Sequence, residues 1–451
     1  MPLHVIKRGL DIPMKGRATG EPVQIDPPAT VGYTPTEFKG VTPRLVAREG
    51  DEVKVGSPLF ESKIHPAMKF LSPVAGRVKE IRRGRRRVIT DIVVERTGDE
   101  AESLRTWAPS DLAGISREDA VACLQAGGLW TSLRTRPMDR VADPGVRPQS
   151  ILVGAMETGP LQPGPEVLLG AGDGEFLQAG INVLRSLTEG RVYLAVQEGS
   201  SHPALSNVQG VEVHSFKGPH PAGDPGVQVN HVDQPVGSNQ VWWTRAWEVA
   251  LIGRLFLEGR FPTERVYAAV GPAVKNPRFV KTVLGAPVAS IVGEVAEGDL
   301  RWISGSALTG SVTAADRWAG FHSSAITVLS DEVERELLAW VLPQFSRWSA
   351  HRAFLRGFFK SSTPVDFRTG INGGQRTLIP VPAYQKVVAT PDIDVAFLFK
   401  SIIAGDFEES LVLGLLDITM EEAALLTYVC PAKIEFDVWL QKGLERYVKE
   451  M

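Results

Sequence analysis

Over the first hundred positions apolar residues alternate with polar ones in short runs, and turn residues separate the runs. Gly40 to Val46 leads into the turn Glu49-Gly50-Asp51. Val53 and Val55 follow, then a second turn at Gly56-Ser57-Pro58, then Ser72 to Val78 and Val88 to Val94. A period of two bounded by Gly, Pro and Asp predicts short, half-buried strands, as in a small β-sandwich. The basic run Arg82 to Arg87, broken only by Gly84, reads as a charged hairpin tip. A solvated turn accounts for it without invoking nucleic acid.

The period changes near Ser110. Leu112, Ile115, Ala120, Val121 and Leu124 predict a helix over 111–125. Phe176, Ala179, Val183 and Leu184 predict another over 175–187. Ile151 to Gly154 and Val192 to Val196 read as buried strands. Helices alternating with apolar strands predict a parallel α/β unit. A loop rich in Pro, Gly and His spans 217–235. From Val241 to Phe261 the spacing predicts an amphipathic, surface-packed helix, because Arg245, Glu248, Arg254 and Glu258 interrupt its apolar residues.

Four runs (266–270, 280–284, 288–291 and 302–303) predict strands of a second, small β-rich unit ending near Leu329. Beyond Asp331 the pattern turns helical. Helices are expected over 332–340, 393–404, 419–428 and 435–449, with a flexible loop at 370–374. Thr419 followed by Glu422 has the spacing of a capping box. The pattern divides the chain into four units: 1–108, 109–262, 263–330 and 331–451.

Composition adds exclusions. The 451 residues are 43% hydrophobic and 22% charged, with a net charge of −3. That balance gives no electrostatic case for nucleic acid. No run reaches the ~18 apolar residues of a membrane-spanning helix. Met1 to Gly20 lacks the apolar core of a signal peptide. The two cysteines, Cys123 and Cys430, provide no disulfide framework and fit a reducing compartment. They are too few and too far apart for an iron–sulfur cluster, which takes about four thiolates.

Several segments invite a chemical reading. His65 to Phe70 with Ser72 to Gly76 resembles the biotinyl/lipoyl barrel-sandwich fold, but Lys69 stands four residues before Pro73, too close for a carrier lysine on its own hairpin. A structural domain is expected. Gly170 to Gly174 lacks the glycine spacing of a dinucleotide loop and carries Asp173, so an acidic turn is expected. His214, His220, His231, Asp224 and Asp233 crowd one region without a zinc spacing, which favours structural use. Cys430-Pro431 is read as a lone buried thiol. Gly127 to Pro137 pairs two glycines with Trp130, Arg134 and Arg136. An aromatic wall beside cationic donors suits an anion or a planar ring.

The chain as a whole resembles the A subunits of the Na+-translocating NADH:quinone oxidoreductases (Na+-NQR). The likeness is carried by Lys7 to Pro13, Gly128 to Pro137, Pro219 to Gly226, Arg301 to Ser306, Asn372 to Arg376, Thr427 to Phe436 and Leu444 to Arg446. A more distant likeness joins it to the Rnf complex C subunit and to the flavin-binding subunit of complex I.

The resemblance implies a multidomain α/β plus β fold. Its parts are a barrel-sandwich domain, a Rossmann-like α/β domain, a small β-grasp domain of the soluble-ligand-binding (SLBB-like) type and a C-terminal helical unit. It implies a peripheral member on the cytoplasmic face of the bacterial inner membrane, partnered by the B to F members of the Na+-NQR complex and above all by its membrane-embedded B member. Such a complex oxidises NADH, reduces quinone (ubiquinone among them) and exports Na+. The implied FAD, FMN, riboflavin and iron–sulfur centres lie in the partner subunits. No redox cofactor or metal is expected on this chain, and no catalytic residue of its own. Leu129 and Trp130 put bulk where relatives have a flavin loop of small residues. Trp130, Arg134 and Arg136 are the expected quinone contacts. The alternatives are a purely structural scaffold of the same complex and an Rnf-like electron-transfer subunit.

Overall fold

A computed structural model describes residues 1–236, 239–331 and 381–450, together with Pro364, Phe367 and Leu378. The helix expected over 332–340, the loop 370–374 and the segment Asn372 to Arg376 lie outside those residues.

The first unit is a sandwich of two antiparallel sheets. Four strands run in the order Thr30–Tyr33, Ile89–Gly98, Ala75–Arg83, Glu52–Val53, and three in the order Pro43–Leu45, Pro58–Ser62, Lys69–Leu71. Phe60 and Phe70 stack at 4.2 Å between them. Lys69 lies within a strand, where its ammonium pairs with Glu61. It is not presented at a tip.

The second unit is built on a six-stranded sheet in the order Leu3–Val5, Glu212–Lys217, Val192–Gln197, Ser150–Ala155, Val241–Arg245, Arg134–Arg136. All neighbours are parallel except the last pair. The strand Ser150–Ala155 is buried at every position, as a strand covered on both faces must be. The third unit is a mixed sheet in the order Ser311–Thr313, Leu300–Ser304, Ala325–Ser330, Glu264–Val270, Arg278–Val283, Val23–Gln24. Leu3–Val5 and Val23–Gln24 thus tie the start of the chain to the second and third sheets. The last unit packs helices Val395–Ala404, Met420–Val429 and Phe436–Glu450 around Leu398, Phe399, Leu426 and Phe436.

Four local expectations need correction. The helix expected over 111–125 is two, Pro109–Leu112 and Arg117–Ala126, because Ser116 caps a new start by accepting from the Asp119 N–H. Residues 225–232 of the expected loop form a helix, started by Pro225 behind the Asp224 cap. The expected strand 288–291 is the short helix Val288–Val292. The helix expected from Val241 is a strand, Val241–Arg245, followed by the helix Ala246–Glu258. That helix is not surface-packed: Glu248, Val249, Ile252, Leu255 and Phe256 are all buried. Its charges misled because Arg245, Glu248 and Arg254 find partners instead of water.

Candidate functional site

Trp130, Arg134 and Arg136 do not line one open pocket. Trp130 is fully buried, its indole N–H donates to the Ala142 carbonyl at 2.7 Å, and its ring meets Trp242 edge-on at 5.7 Å. Arg136 is 4% exposed and donates to the carbonyls of Leu416 (3.1 Å) and Asp417 (2.8 Å), which joins the helical unit to the α/β sheet. The last turn before Thr419 exposes carbonyls without helical partners, and a guanidinium suits them. Arg134 alone reaches a polar seam. It lies over the Trp243 ring at 4.6 Å and 3.6 Å from Glu248.

Glu248 is the hub of that seam and is 1% exposed. As the third residue of its helix it reaches back to accept the Arg245 N–H at 3.3 Å. Its other oxygen meets His322 Nδ1 at 2.8 Å. Burial opposes its charge, but the His322 hydrogen bond and the nearby Arg134 and Arg245 hold its pKa below the usual range. His322 is pushed down to about 4 by burial, with Arg134 adding to the effect, so it is neutral at pH 7. An ionised carboxylate only accepts, so Nδ1 carries the hydrogen.

Above this pair the first and third units close on each other. The Gly32 N–H donates to the Gly285 carbonyl at 2.9 Å, and a Cβ on Gly32 would fall 2.1 Å from the Trp318 ring. Only glycine allows that approach. It brings Tyr33, Glu37 and Phe38 against Arg265, Tyr267 and Phe321. Tyr33 lies 5.8 Å from Phe321 and 5.4 Å from Phe60. Its hydroxyl is buried without a hydrogen-bond partner among the described residues. Arg265 is 5% exposed. Its Nη1 donates to the Pro262 and Glu264 carbonyls at 2.8 and 2.9 Å, while Nε and Nη2 are buried without a partner among the described residues. Both oxygens of Glu37 accept the Phe321 N–H, at 3.0 and 2.9 Å. Loss of solvation pushes this carboxyl up to about 8, so it holds a proton at neutral pH. Burial likewise pushes the Tyr267 hydroxyl up to about 12.

A second polar cluster lies at the carboxyl ends of the parallel strands. The chain crosses there from one side of Ser150–Ala155 to the other, the place where open α/β sheets bind ligands. Here the chain's own side chains occupy it. Arg245 pairs with Glu157 at 2.8 Å, and Pro225 lies so near Gly154 that a Cβ there would stand 3.1 Å from its ring. His220 meets Thr158 Oγ1 at 3.1 Å and Glu421 of the helical unit at 3.4 Å. Asp224 is pushed up to about 7 by burial and by Glu421.

Asp173 accepts from the Gly170 N–H at 2.8 Å and from Arg254 at 3.0 Å, folding the acidic turn onto the helix Ala246–Glu258. His214 is paired with His4 at 2.9 Å. Cys430 is buried and accepts from the Tyr384 hydroxyl at 3.1 Å, and burial pushes the Cys123 thiol up to about 11. Among the described residues no group of three or more His, Cys, Asp or Glu could hold a metal ion.

Sequence reasoning missed Tyr33, Glu37, Glu248, Arg265 and His322. They stand on three units, and no local spacing links them. The nearest signal was Glu248 at the third position of an apolar helix.

Three family descriptions match the chain in order. "NqrA N-terminal barrel-sandwich hybrid domain" covers residues 4–97, "NqrA second alpha/beta domain" covers 115–261, and "NQRA C-terminal domain", of SLBB type, covers 266–315. Proteins named as the A subunit of Na(+)-translocating NADH-quinone reductase are similar over 99% of both chains. Those of Neisseria meningitidis serogroup A, Pasteurella multocida and Vibrio parahaemolyticus are 38%, 37% and 37% identical. Among solved structures, an NAD+-reducing NiFe-hydrogenase in the H2-reduced state is 13% identical, with a TM-score of 0.37 over 76% of this chain and 63% of that one. A likeness at that level carries no weight for fold or function.

Proposed function

The chain belongs to the NqrA family, the A subunits of the Na+-translocating NADH-quinone reductases, and from that premise we propose that it binds the quinone headgroup at the Tyr33–Arg265 seam without a redox group of its own. It is one member of a multi-subunit enzyme, and activity belongs to the complex. The single observation behind the reading is the set of buried donors without acceptors among the described residues: the Tyr33 hydroxyl and the Arg265 Nε and Nη2. A buried donor left unpaired costs about 1–3 kcal/mol. A quinone carbonyl is an acceptor of the right kind, and Phe38, Phe321 and Phe60 offer flat apolar walls.

Quinone reduction takes up two electrons and two protons. The electrons come from partner subunits. Glu37, protonated at neutral pH, can supply one proton to a reduced quinone oxygen and be refilled from water, while the second proton comes from solvent at the other oxygen. Of the residues expected from sequence, Arg134 stays in the proposal as the cation bordering the seam, while Trp130 and Arg136 brace it. The donors are enclosed, so a headgroup enters by parting the Gly32–Gly285 contact. The filled crevice at Arg245 and Glu157 supports the reading that flavin and iron–sulfur groups reside on the other subunits. Two free, reduced thiols fit a place on the cytoplasmic face, beside the membrane-embedded B member of the complex.

The rival reading is a brace with no ligand. The ties of Arg136 and His220 to the helical unit favour it. Tyr33→Phe in the assembled complex separates the two, because it deletes one oxygen and keeps the ring. Quinone binding predicts a rise of about 3–10-fold in KM for quinone, with thermal stability of the quinone-free complex raised because the unpaired buried hydroxyl is gone. An unchanged KM, together with no labelling of this seam by a photoreactive quinone, rejects the quinone site and leaves the brace.

A further inference from the structure

The seam leaves one charged feature of the chain unused. Arg82, Arg83, Arg85, Arg86 and Arg87 crowd the turn between the strands Ala75–Arg83 and Ile89–Gly98, in a chain whose net charge is −3. Residues 83–88 are all exposed. Arg82 pairs with Glu80 at 3.0 Å. Asp91, directly across the ladder from Arg82, is already taken by Arg317. No carboxylate among the described residues pairs with Arg85, Arg86 or Arg87.

The turn itself does not ask for arginine. Arg86 and Arg87 adopt φ of 57° and 62°, the left-handed region that glycine or asparagine fills at less cost. Like charges placed side by side also repel. A solvated tip would need polarity, not five guanidiniums. The apolar residues nearby are exposed too: Val88 at the tip is 47% exposed and Val46 is 43%. Beside the turn, Leu45, Val46, Ala47 and Ile81 line an open pocket with Arg48, Arg83 and Glu49, whose carboxylate accepts the Ile81 N–H at 2.8 Å.

We infer that this hairpin is a docking surface for an anionic phospholipid bilayer. Guanidiniums form paired hydrogen bonds with phosphate oxygens, and a polybasic segment gains from the negative surface potential of such a membrane. Val88 and the shelf around Val46 suit the boundary between headgroups and acyl chains. Nucleic acid fits less well, because no aromatic residue in the hairpin can stack on bases and one turn is too short to follow a phosphate backbone. This inference rests on family membership and not on the quinone seam.

The test is co-sedimentation of the full chain with phosphatidylcholine vesicles and with mixed phosphatidylcholine–phosphatidylglycerol vesicles. Binding is expected to the mixed vesicles only, and to fall as salt rises. The triple variant Arg85→Ser, Arg86→Ser, Arg87→Ser should bind about a hundredfold more weakly, at roughly fivefold for each charge. Its melting temperature should not change, since these side chains pack on nothing. A lysine triple variant should keep most of the binding. Equal binding to neutral vesicles, or undiminished binding by the serine variant, overturns the inference. So does capture of an oligonucleotide at the same salt without any vesicle binding.

Discussion

The arginines at 82–87 and those at 134, 136, 245 and 265 are one kind of side chain in two settings. The first group projects from a hairpin, exposed from Arg83 onward, and among the described residues Arg85, Arg86 and Arg87 have no carboxylate partner. The second is built into contacts between units. Arg136 holds helix-end carbonyls, Arg134 lies beside Glu248, Arg245 pairs with Glu157, and Arg265 sits among aromatic rings with two nitrogens unpaired among the described residues. Guanidinium is weakly hydrated and always charged, so it tolerates either setting. What differs is the cost of taking it away. An exposed cation is interchangeable with water for stability, whereas a buried network loses its balance when one member goes.

The sharpest break of that comparison is Glu248→Ala. It leaves Arg134 and His322 facing an empty acceptor site, and about 3–5 kcal/mol should be lost in denaturant unfolding. A loss under about 1 kcal/mol would mean that the seam is held by apolar packing alone.

Next is Arg136→Leu, which frees the Leu416 and Asp417 carbonyls. About 1.5–3 kcal/mol should go, confined to the helical unit. Hydrogen exchange should speed up over 407–429 while the strand Ser150–Ala155 stays protected. Uniform loosening of both regions would show that Arg136 does not act as a local tie.

The pH dependence sharpens the seam further. His322 falls from 6.5 when unfolded to about 4 when folded, so its contribution is present above pH 6.5 and is lost as pH falls toward 4. Glu37 rises from 4.5 to about 8, so its contribution is complete below pH 4.5 and is lost as pH climbs toward 8. Glu37→Gln should remove the decline in stability that runs from about pH 4.5 up to 8, the alkaline slope, and leave the profile unchanged only below pH 4.5. An unaltered alkaline slope would place that titration elsewhere.

The smallest effect is expected at the hairpin. Replacing Arg85, Arg86 and Arg87 by serine should move stability by no more than about 0.5 kcal/mol, read by thermal melting. A larger drop would mean that these side chains pack against something and belong with the buried group.

Much of the local structure was legible in the chain. The capping box at Thr419 and Glu422 is formed as spaced, with Thr419 accepting the Glu422 N–H at 3.2 Å and Glu422 accepting back at 2.9 Å. The strands at Ile151 and Val192 and the helix at 175–187 follow from periodicity, because burial on one or both faces writes itself into neighbouring positions. The helix expected from Val241 failed for a physical reason. Trp242 and Trp243 belong to a strand, and the charges after them are buried by partners far along the chain. Trp130 looked like a binding residue because an aromatic next to arginines is ambiguous until its neighbours are known.

By itself the sequence determined the order of units, the family, and the poverty in thiols that argues against a cluster. These follow from composition, local period and ordered motifs, all of which are properties of neighbours in the chain. Only the tertiary structure decided which arginines are buried, that His322 and Glu248 meet, and that Tyr33 and Arg265 keep donors unused among the described residues. Those facts depend on three units closing around Gly32 and Gly285, hundreds of positions apart, and on the loss of water that the closure brings. A charge has no fixed chemistry until its solvent is known, and the fold supplies the solvent.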